Sequence, residues 1–563
     1  MDLMTIVNII LTLLAVDAVV MAVWLGERDD EMPSVSFWTA FGVIAAVAVA
    51  VRVFEFGSVP GGFNQDGAMA AVNAKAIIET GRDIYGTRMP ALFEAWSYAQ
   101  MNAFMIYAAC PFVAAFGLNP IAARLPSLII SLGGLLALFG LVRALTGNRV
   151  AALFTFAFAA INPWHIMQSR WLLEANALPH VMVIAAYFLV KAVQAERGAR
   201  RWLSLSASMV SFALTLYCYG IAVYTVPLFM AAVCAFLLAA RRIRAREAVA
   251  AVGVFLLVAW PIIGVYIINV FKLPSLELPF VTLPYFPSQS RSSELLFLDP
   301  EPFAKLADNA IKLTRIVLFQ RGDGWAHNSI DGFGAYYLPA APFAAFGVWL
   351  TIRRARDDGS LAAFVSLAWL AVGILAGLCV SPNVNRVNLI FYPIIIFAGI
   401  GLERAARSRR YIKYGTAAAF AILFGMFCGA YFTDWSDEIK EPFLADFGQA
   451  LEYAETLDAG EYYITGDSQF AGSVMTSRVL TMFYFGTADM NDPRFIYFTE
   501  LQPPGESSPG SANFRESSPE SANFREAVYV VNAKELDMSE FESYSMKEFG
   551  RFIVAEPVRS DSP

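Results

Sequence analysis

Twelve times along this chain a run of close to twenty mostly apolar residues recurs, at 3–24, 37–54, 121–142, 150–167, 172–193, 202–219, 221–240, 248–271, 336–352, 361–380, 387–402 and 411–432. A hydrocarbon layer about 30 Å thick is crossed by roughly 20 residues of helix. Inside that layer every backbone N–H and C=O has to be satisfied by the segment itself or by its neighbours. The repetition therefore specifies an α-helical, multi-pass membrane protein of about 12 spans. Composition agrees: 16% of the 563 residues are charged, against roughly 25% in a soluble domain.

The charges that remain are sorted by loop. Arg143 with Arg149, then Lys191, Arg197, Arg200 and Arg201, then Arg241, Arg242, Arg244 and Arg246, then Arg353, Arg354 and Arg356, and finally Arg404, Arg407, Arg409, Arg410 and Lys413 fall in alternate short loops. The short loops between them hold only Arg170, nothing at Tyr219-Gly220, and Arg386. Basic loops stay on the cytoplasmic side, which puts Asp66, Arg170, Arg386, the loops at 55–120 and 272–335 and the C-terminal tail outside. The apolar run at 101–117 would invert this order if it were a span; it is read as a surface or re-entrant helix interrupted by Pro111. The first segment has no basic leader and no small-residue cleavage site, the pattern of a retained anchor.

Cys110, Cys218, Cys234, Cys379 and Cys428 lie in apolar segments without CxxC spacing, which argues against disulfides and thiolate-bound metal. Three histidines, His165, His180 and His327, leave little material for a His-rich metal centre. Past residue 432 the chain turns acidic, with 24 Asp and Glu against nine Lys and Arg, a net charge of −15 against +8 for residues 1–432. Residues 433–563 are read as a separate, small α/β or α+β soluble domain on the outer face. A helix is expected at 443–457 and strands at 462–465, 479–485, 495–498, 527–531 and 552–554. A tandem ten-residue duplication at 506–525, rich in Ser, Pro and charge, is expected to be a mobile loop within it.

Four motifs follow one another on the outer face. The first is Asn64-Gln65-Asp66-Gly67-Ala68, opening an amphipathic, surface-lying helix at 68–78, with Glu79-Thr80-Gly81-Arg82-Asp83-Ile84-Tyr85-Gly86 behind it. Phe116-Gly117-Leu118-Asn119-Pro120-Ile121-Ala122-Ala123-Arg124-Leu125-Pro126-Ser127 then enters a span. Asn162-Pro163-Trp164-His165-Ile166-Met167-Gln168-Ser169-Arg170 comes next, followed by Glu174, and Asn385-Arg386-Val387-Asn388 heads a span containing Tyr392-Pro393. In this order, over residues 54–402, the motifs resemble the C-type (GT-C) membrane glycosyltransferases, the group of the protein O-mannosyltransferases and aminoarabinose transferases. The resemblance implies transfer of a sugar from a polyprenyl-phosphate donor to an extracytoplasmic hydroxyl on an envelope glycan, a lipid or a protein, and it implicates Asp66, Arg170 and Arg386. Many relatives carry Asp-Glu where this chain has Asp66-Gly67; Glu94 and Glu174 are the acids placed to replace the missing one.

Such a transfer needs a base near the acceptor and fixed cations near the departing phosphate. Asp66 is the candidate base, although an Asp at this place also suits a helix cap. A single base facing away from the phosphate predicts inversion of the anomeric centre, unlike the two-acid arrangement of retaining enzymes. Arg170, Arg386, Arg291 and Arg321 are the outer cations able to hold a donor phosphate; snorkelling or headgroup contact is the competing role for each. Asn64 and Gln65 beside the acid, and His327 and Asn328, are candidate substrate contacts. Glu174, four residues beyond Arg170, is read first as its ion-pair partner and second as a substrate contact. Trp96, Tyr98, Trp164, Trp171 and Trp325 either stack on sugar faces or form an interfacial belt. No cofactor is called for and no metal is favoured, since the lipid-linked sugar is itself a substrate. The partners are donor, acceptor and bilayer, with nothing pointing to nucleic acid.

The loop at 272–335, with Pro274, Pro279, Pro284 and Pro287 ahead of a helical run at 302–319, is long enough to wall or roof a cavity. Two other classes compete with the transferase. A transporter or flippase of lipid-linked glycans would use the cavity for passage, but mid-span ionisable series and inverted halves are missing. A non-catalytic envelope scaffold is favoured by one feature, the loss of the second acid at Gly67. For topology, a C-terminal alkaline phosphatase fusion is expected to be active and a fluorescent protein inserted at 241–246 to fluoresce; the opposite pair of results would invert the assignment.

Overall fold

The structure is a computed structural model that describes residues 3–25, 32–96, 99–287, 296, 299–358, 360–467, 474–498, 527–535 and 544–558. Tyr98, Arg291 and the duplication at 506–525 lie outside the described residues. The bundle runs through α1 (Leu3–Leu25), α2 (Ser34–Val53), α3 (Gln65–Thr80), α4 (Ala103–Phe116), α5 (Pro120–Thr146), α6 (Arg149–Ala160), α7 (Pro163–Gln168) and α8 (Glu174–Gln194). It continues through α9 (Ala199–Thr215), α10 (Ala222–Ala239), α11 (Ala245–Phe271), α12 (Pro302–Val317), α13 (Ala341–Asp358), α14 (Leu361–Cys379), α15 (Phe391–Ser408) and α16 (Arg410–Phe432). A hairpin of β1 (Leu92–Ala95) and β2 (Ala99–Asn102) precedes α4, and a shorter one, β3 (Leu276–Glu277) with β4 (Thr282–Leu283), follows α11.

Among the described residues nine helices are long and apolar enough to cross a membrane: α1, α2, α5, α8, α10, α11, α14, α15 and α16. The three other expected spans are built differently. The run at 150–167 is broken at Ile161–Asn162 into α6, of 12 residues, and the short α7. There the Asn162 side chain accepts the His165 N–H at 3.0 Å and Pro163 takes the first helical position, a capped start that ends one helix and begins another. α9 has 17 residues, and the end of α13 carries Arg353, Arg354, Arg356, Asp357 and Asp358. The Pro111 interruption is also corrected: α4 runs unbroken for 14 residues with Pro111 inside it, at about 1.5 Å per residue too short to span.

The expected surface-lying helix is instead α3, buried from Gly67 to Ala74 and again at Ala76 and Ile77. Its alanine-rich sequence is a strong helix former and lets α4 and, from the C-terminal region, a further helix pack closely on it. Gly81, left-handed at φ 67°, ends it by donating its N–H to Ile77 O, the usual glycine stop.

What fixes the approach to α3 is a set of three buried arginines. Arg170 gives Nη1 to Val51 O and Arg52 O (3.0 and 2.8 Å) and Nη2 to Phe54 O, Glu55 O and Val59 O (2.7, 3.0 and 2.9 Å). Arg124 gives Nη1 to Phe56 O and Gly57 O, both 3.1 Å, and Nη2 to Pro60 O and Gly62 O, both 2.8 Å. Arg52 ties Ala48 O to Ala160 O, 2.9 Å to each. The last carbonyls of a helix have no partner within it and carry its negative end; Arg170 satisfies them for α2 from another segment. The segment 54–62 has no regular structure of its own, so arginine donors stand in for a ladder.

Deeper in the bundle Arg52 Nη2 donates to His165 Nδ1 at 2.9 Å, and the Tyr392 hydroxyl lies 3.0 Å from His165 Nε2 and 2.8 Å from His180 Nδ1. Arginine is only a donor, so His165 Nδ1 accepts. Nε2–H then donates to the Tyr392 oxygen, and Tyr392 O–H donates to His180, one direction throughout.

After α16 come α17 (Asp434–Glu438), α18 (Ala445–Glu455), β5 (Tyr462–Thr465), α19 (Val474–Tyr484), β6 (Phe495–Phe498), β7 (Val528–Asn532), β8 (Tyr544–Phe549) and β9 (Phe552–Pro557). The sheet has the order β6-β5-β7-β9-β8, parallel around β5 and antiparallel from β7 outward. The strand expected at 479–485 is part of α19, which crosses between the parallel β5 and β6, and β8 is an edge strand beyond those expected. This region packs directly on the bundle. Phe63 N–H donates to Phe443 O at 2.8 Å, the Phe63 and Phe483 rings stack at 4.4 Å, and Trp435 Nε1 donates to Ala326 O at 2.8 Å.

Arg124→Met and Arg170→Met each take the arginine donors from at least four backbone carbonyls, buried or part-buried. At about 1–3 kcal/mol for a buried unsatisfied group, each is expected to lower the thermal midpoint and the monodisperse yield in detergent sharply, while Arg321→Met, at an exposed position, leaves both unchanged.

Candidate active site

Asp66 occupies the second position of α3, and the capping it was suited to is done by its neighbour: Asn64 Oδ1 accepts the Gly67 N–H at 2.8 Å. That bond commits the Asn64 carbonyl to the helix rather than to a substrate. The Asp66 carboxylate is half-buried, and its Oδ1 accepts the Trp96 indole N–H at 3.1 Å. Trp96 follows β1 at a φ of 57°, a left-handed conformation that is an outlier for a bulky residue and typical of strain held at sites. Gln65 is half-buried beside the acid, and its Oε1 has no hydrogen-bond partner among the described residues.

At the other end of the same hairpin Asn102 donates its backbone N–H and, at 3.0 Å, its Nδ2 to Glu174 Oε2. Glu174 is the first residue of α8, so the hairpin links the acids that begin two helices, each lying in the favourable field of a helix N-terminus. The expected pair between Arg170 and Glu174 does not form. α7 ends at Gln168 and α8 begins at Glu174, so the two residues share no helix, and the Arg170 guanidinium is fully buried against the end of α2. Arg170 is therefore corrected from a phosphate ligand to a scaffold residue.

Gly67 explains why one carboxylate stands here without an adjacent second. A Cβ at this position would lie 2.9 Å from Asn64 Oδ1 and 3.0 Å from Leu172 O, so the cap and the segment leading into α8 occupy the space of a side chain. The same closeness brings the start of α3 against the start of α8. Glu94, the other acid considered in its place, stands on β1, where its charge helps to raise the Asp83 carboxyl.

Arg386 is half-exposed, with Nη1 3.3 Å from Ser381 O. Two residues on, Asn388 Nδ2 donates to Ala175 O at 2.7 Å, which ties the Arg386 segment to the first turn of α8 and so to Glu174. Asp323, which sequence reasoning missed, braces the same segment: its Oδ2 accepts Val384 N–H and Asn328 Nδ2, both at 2.8 Å. Asn328 is thereby an internal strut with a buried side chain rather than an open sugar contact. His327 packs between Trp171, Trp325 and Phe443 at 5.3, 5.6 and 6.3 Å, and burial holds its pKa below the ordinary 6.5, so it is neutral near pH 7. Arg321 is exposed, and nothing ties it to this cluster. Asp66, Gln65, Trp96, Asn102, Glu174 and the Arg386 segment are brought together; Arg170 and Asn328 are spent on structure.

Asp83, in the loop after α3, accepts the Tyr85 and Thr87 N–H groups at Oδ1 (3.0 and 2.7 Å). Burial, reinforced by Glu94, pushes its carboxyl from 3.8 up to about 6. The unfolded chain then loses its proton first, so stability falls as pH rises from about 4 to about 6 and is level above that. Asp83→Asn keeps both N–H bonds to Oδ1 and removes the burial of a charge. It is expected to flatten that fall and to raise the unfolding midpoint at pH 7, measured by thermal denaturation across pH 4–8.

Residues 101–264 match the family model described as dolichyl-phosphate-mannose-protein mannosyltransferase. Among curated protein sequences none matches this chain. Similar solved structures include ArnT from Cupriavidus metallidurans in the apo state, at 15% identity and a TM-score of 0.53 over 92% of this chain and 97% of that one. The same protein bound to undecaprenyl phosphate gives 14% identity and a TM-score of 0.54 over 93% and 98%. Over most of its length this chain has the fold of the GT-C membrane glycosyltransferases, and residues 101–264 carry the sequence pattern described by the dolichyl-phosphate-mannose-protein mannosyltransferase model.

Proposed function

We propose that the chain transfers a sugar from a polyprenyl-phosphate donor to an extracytoplasmic acceptor hydroxyl, with Asp66 as the base and with inversion at the anomeric carbon. The observation that carries the reading is the placement of Asp66: a half-buried carboxylate, relieved of capping by Asn64 and oriented by the Trp96 N–H. A base has to reach the acceptor hydroxyl within hydrogen-bond distance as its oxygen bonds to the anomeric carbon. One carboxylate suffices for inversion, because the phosphate leaves with its own negative charge and needs no acid. The ArnT structure with undecaprenyl phosphate supports a lipid phosphate as the donor's carrier on this fold.

With Arg170 committed to the α2 end, Arg386 is the cation assigned to the departing phosphate. It is half-exposed and rooted on α8 through Asn388, and a fixed cation in a water-poor cleft stabilises developing negative charge more than a solvated one does. Glu174, fixed by Asn102, forms the far wall and is assigned to acceptor or sugar hydroxyls. The acceptor is an envelope glycan, a lipid or a protein on the face opposite the arginine-rich loops.

Purified protein in lipid, given radiolabelled polyprenyl-phosphate sugars and an envelope extract, is expected to form product, and Asp66→Asn to lower turnover by at least about 10²-fold with donor binding unchanged. Trp96→Phe, which removes one hydrogen bond to a charged group, is expected to cost about tenfold or more. Equal product from wild type and Asp66→Asn would remove Asp66 from the role, and binding without transfer by wild type would overturn the enzyme reading.

A further inference from the structure

A cavity lies at the other end of the bundle from Asp66. Arg124, near the start of α5, holds the 54–62 segment, whereas Val142, Leu145 and Thr146, at the end of the same helix, line a cavity of about 320 Å³. The rise of roughly 1.5 Å per residue over that length of helix puts the cavity about 30 Å from the Arg124 anchor, on the face of the arginine-rich loops.

Its polar rim is basic. Among the described residues, Arg354 of α13 and Arg404 and Arg407 of α15 line it, with Glu403 as the acid of the lining. That acid is already engaged: Arg407 Nε lies 2.8 Å and Asn148 Nδ2 2.9 Å from Glu403 Oε1. The first turn of α14 faces the same space through Ala362 and Ala363, and Ser360, at the cap position, makes no side-chain cap bond. Early N–H groups of a helix lack intrahelical partners and favour an anion. The remaining wall is apolar, from Val142, Leu145, Leu350 and Ile400.

We propose that this cavity is a phosphate-binding site, distinct from the transfer site, that takes the phosphate of an anionic lipid headgroup or an equivalent free phosphate. Arg354 and Arg404 supply the charge, the α14 N-terminus supplies N–H donors, and the apolar wall accepts the first methylenes of an acyl chain. Occupancy ties α13, α14 and α15 together at this face, so it is read as a gain in stability independent of sugar transfer.

The test is thermal unfolding of the full chain in detergent with added phosphatidylglycerol, with inorganic phosphate alone, and with uncharged diacylglycerol. Phosphatidylglycerol is expected to raise the midpoint saturably. Arg354→Gln and Arg404→Gln, made separately, are expected to weaken that response at least tenfold in concentration, and Arg353→Gln, one residue outside the cavity lining, to respond as wild type. Arg354 is exposed, so its variant folds even where the Arg404 variant does not. A response to inorganic phosphate as large as that to the lipid makes the source a free phosphate, and a response to the lipid alone makes it the headgroup. Diacylglycerol acting as well as phosphatidylglycerol, an absent response, or an equal response from the Arg354 and Arg353 variants overturns the proposal.

Discussion

Guanidinium groups donating to backbone carbonyls set the geometry on which the α3 end of this protein depends. Residues 54–62 leave a spanning helix and reach α3 without forming regular secondary structure, and several carbonyls here and at the end of α2 would otherwise lack donors. Arg124 and Arg170, from two other segments, supply those donors, and among the described residues no carboxylate shares either guanidinium. A buried cation is costly alone. Here the carbonyl dipoles and the negative end of α2 offset that cost, and the Arg170 guanidinium also faces the Phe432 and Tyr431 rings at 5.1 and 5.6 Å. The consequence lies a few residues downstream: the chain enters α3 in one position, and Asp66 with it.

The C-terminal region completes that arrangement. Phe443 and Phe483 meet Phe63 immediately before the Asn64 cap, and a Cβ on Gly62, which is left-handed at φ 76°, would run into Phe443 O. The acidic region therefore presses on the same short segment that the arginines hold from below. Its core is continuous with that of the bundle, with Phe447, Phe483 and Val554 in the same cluster as the helix interiors.

The helical membrane architecture was legible because hydropathy over twenty residues is a strong signal, and the place of Asp66 at a helix start was legible from the alanine-rich run behind it. The fate of Arg170 was not. An arginine at the end of a span reads the same whether it meets lipid phosphate, water or carbonyls more than 110 residues away in sequence, and its spacing to Glu174 suggested a common helix that Leu172 and Leu173 break. The run at 479–485 misled for a related reason: a short stretch of β-branched and aromatic residues fits strand and buried helix alike, and the crossover between parallel strands decided for the helix. β8 alternates but carries Lys547 and Glu548 as an edge strand does, which hid it. Asp323 and Asn102 gave no signal, since a single polar residue in a loop says nothing of what it braces.

The account stands or falls on where a lipid phosphate sits. Determining the structure of the chain with undecaprenyl phosphate bound tests it most directly. The account predicts the phosphate beside Arg386, near the starts of α3 and α8, with Arg170 still bonded to the carbonyls of Val51 to Val59. A phosphate bonded to Arg170, with the 51–62 segment released, would contradict it.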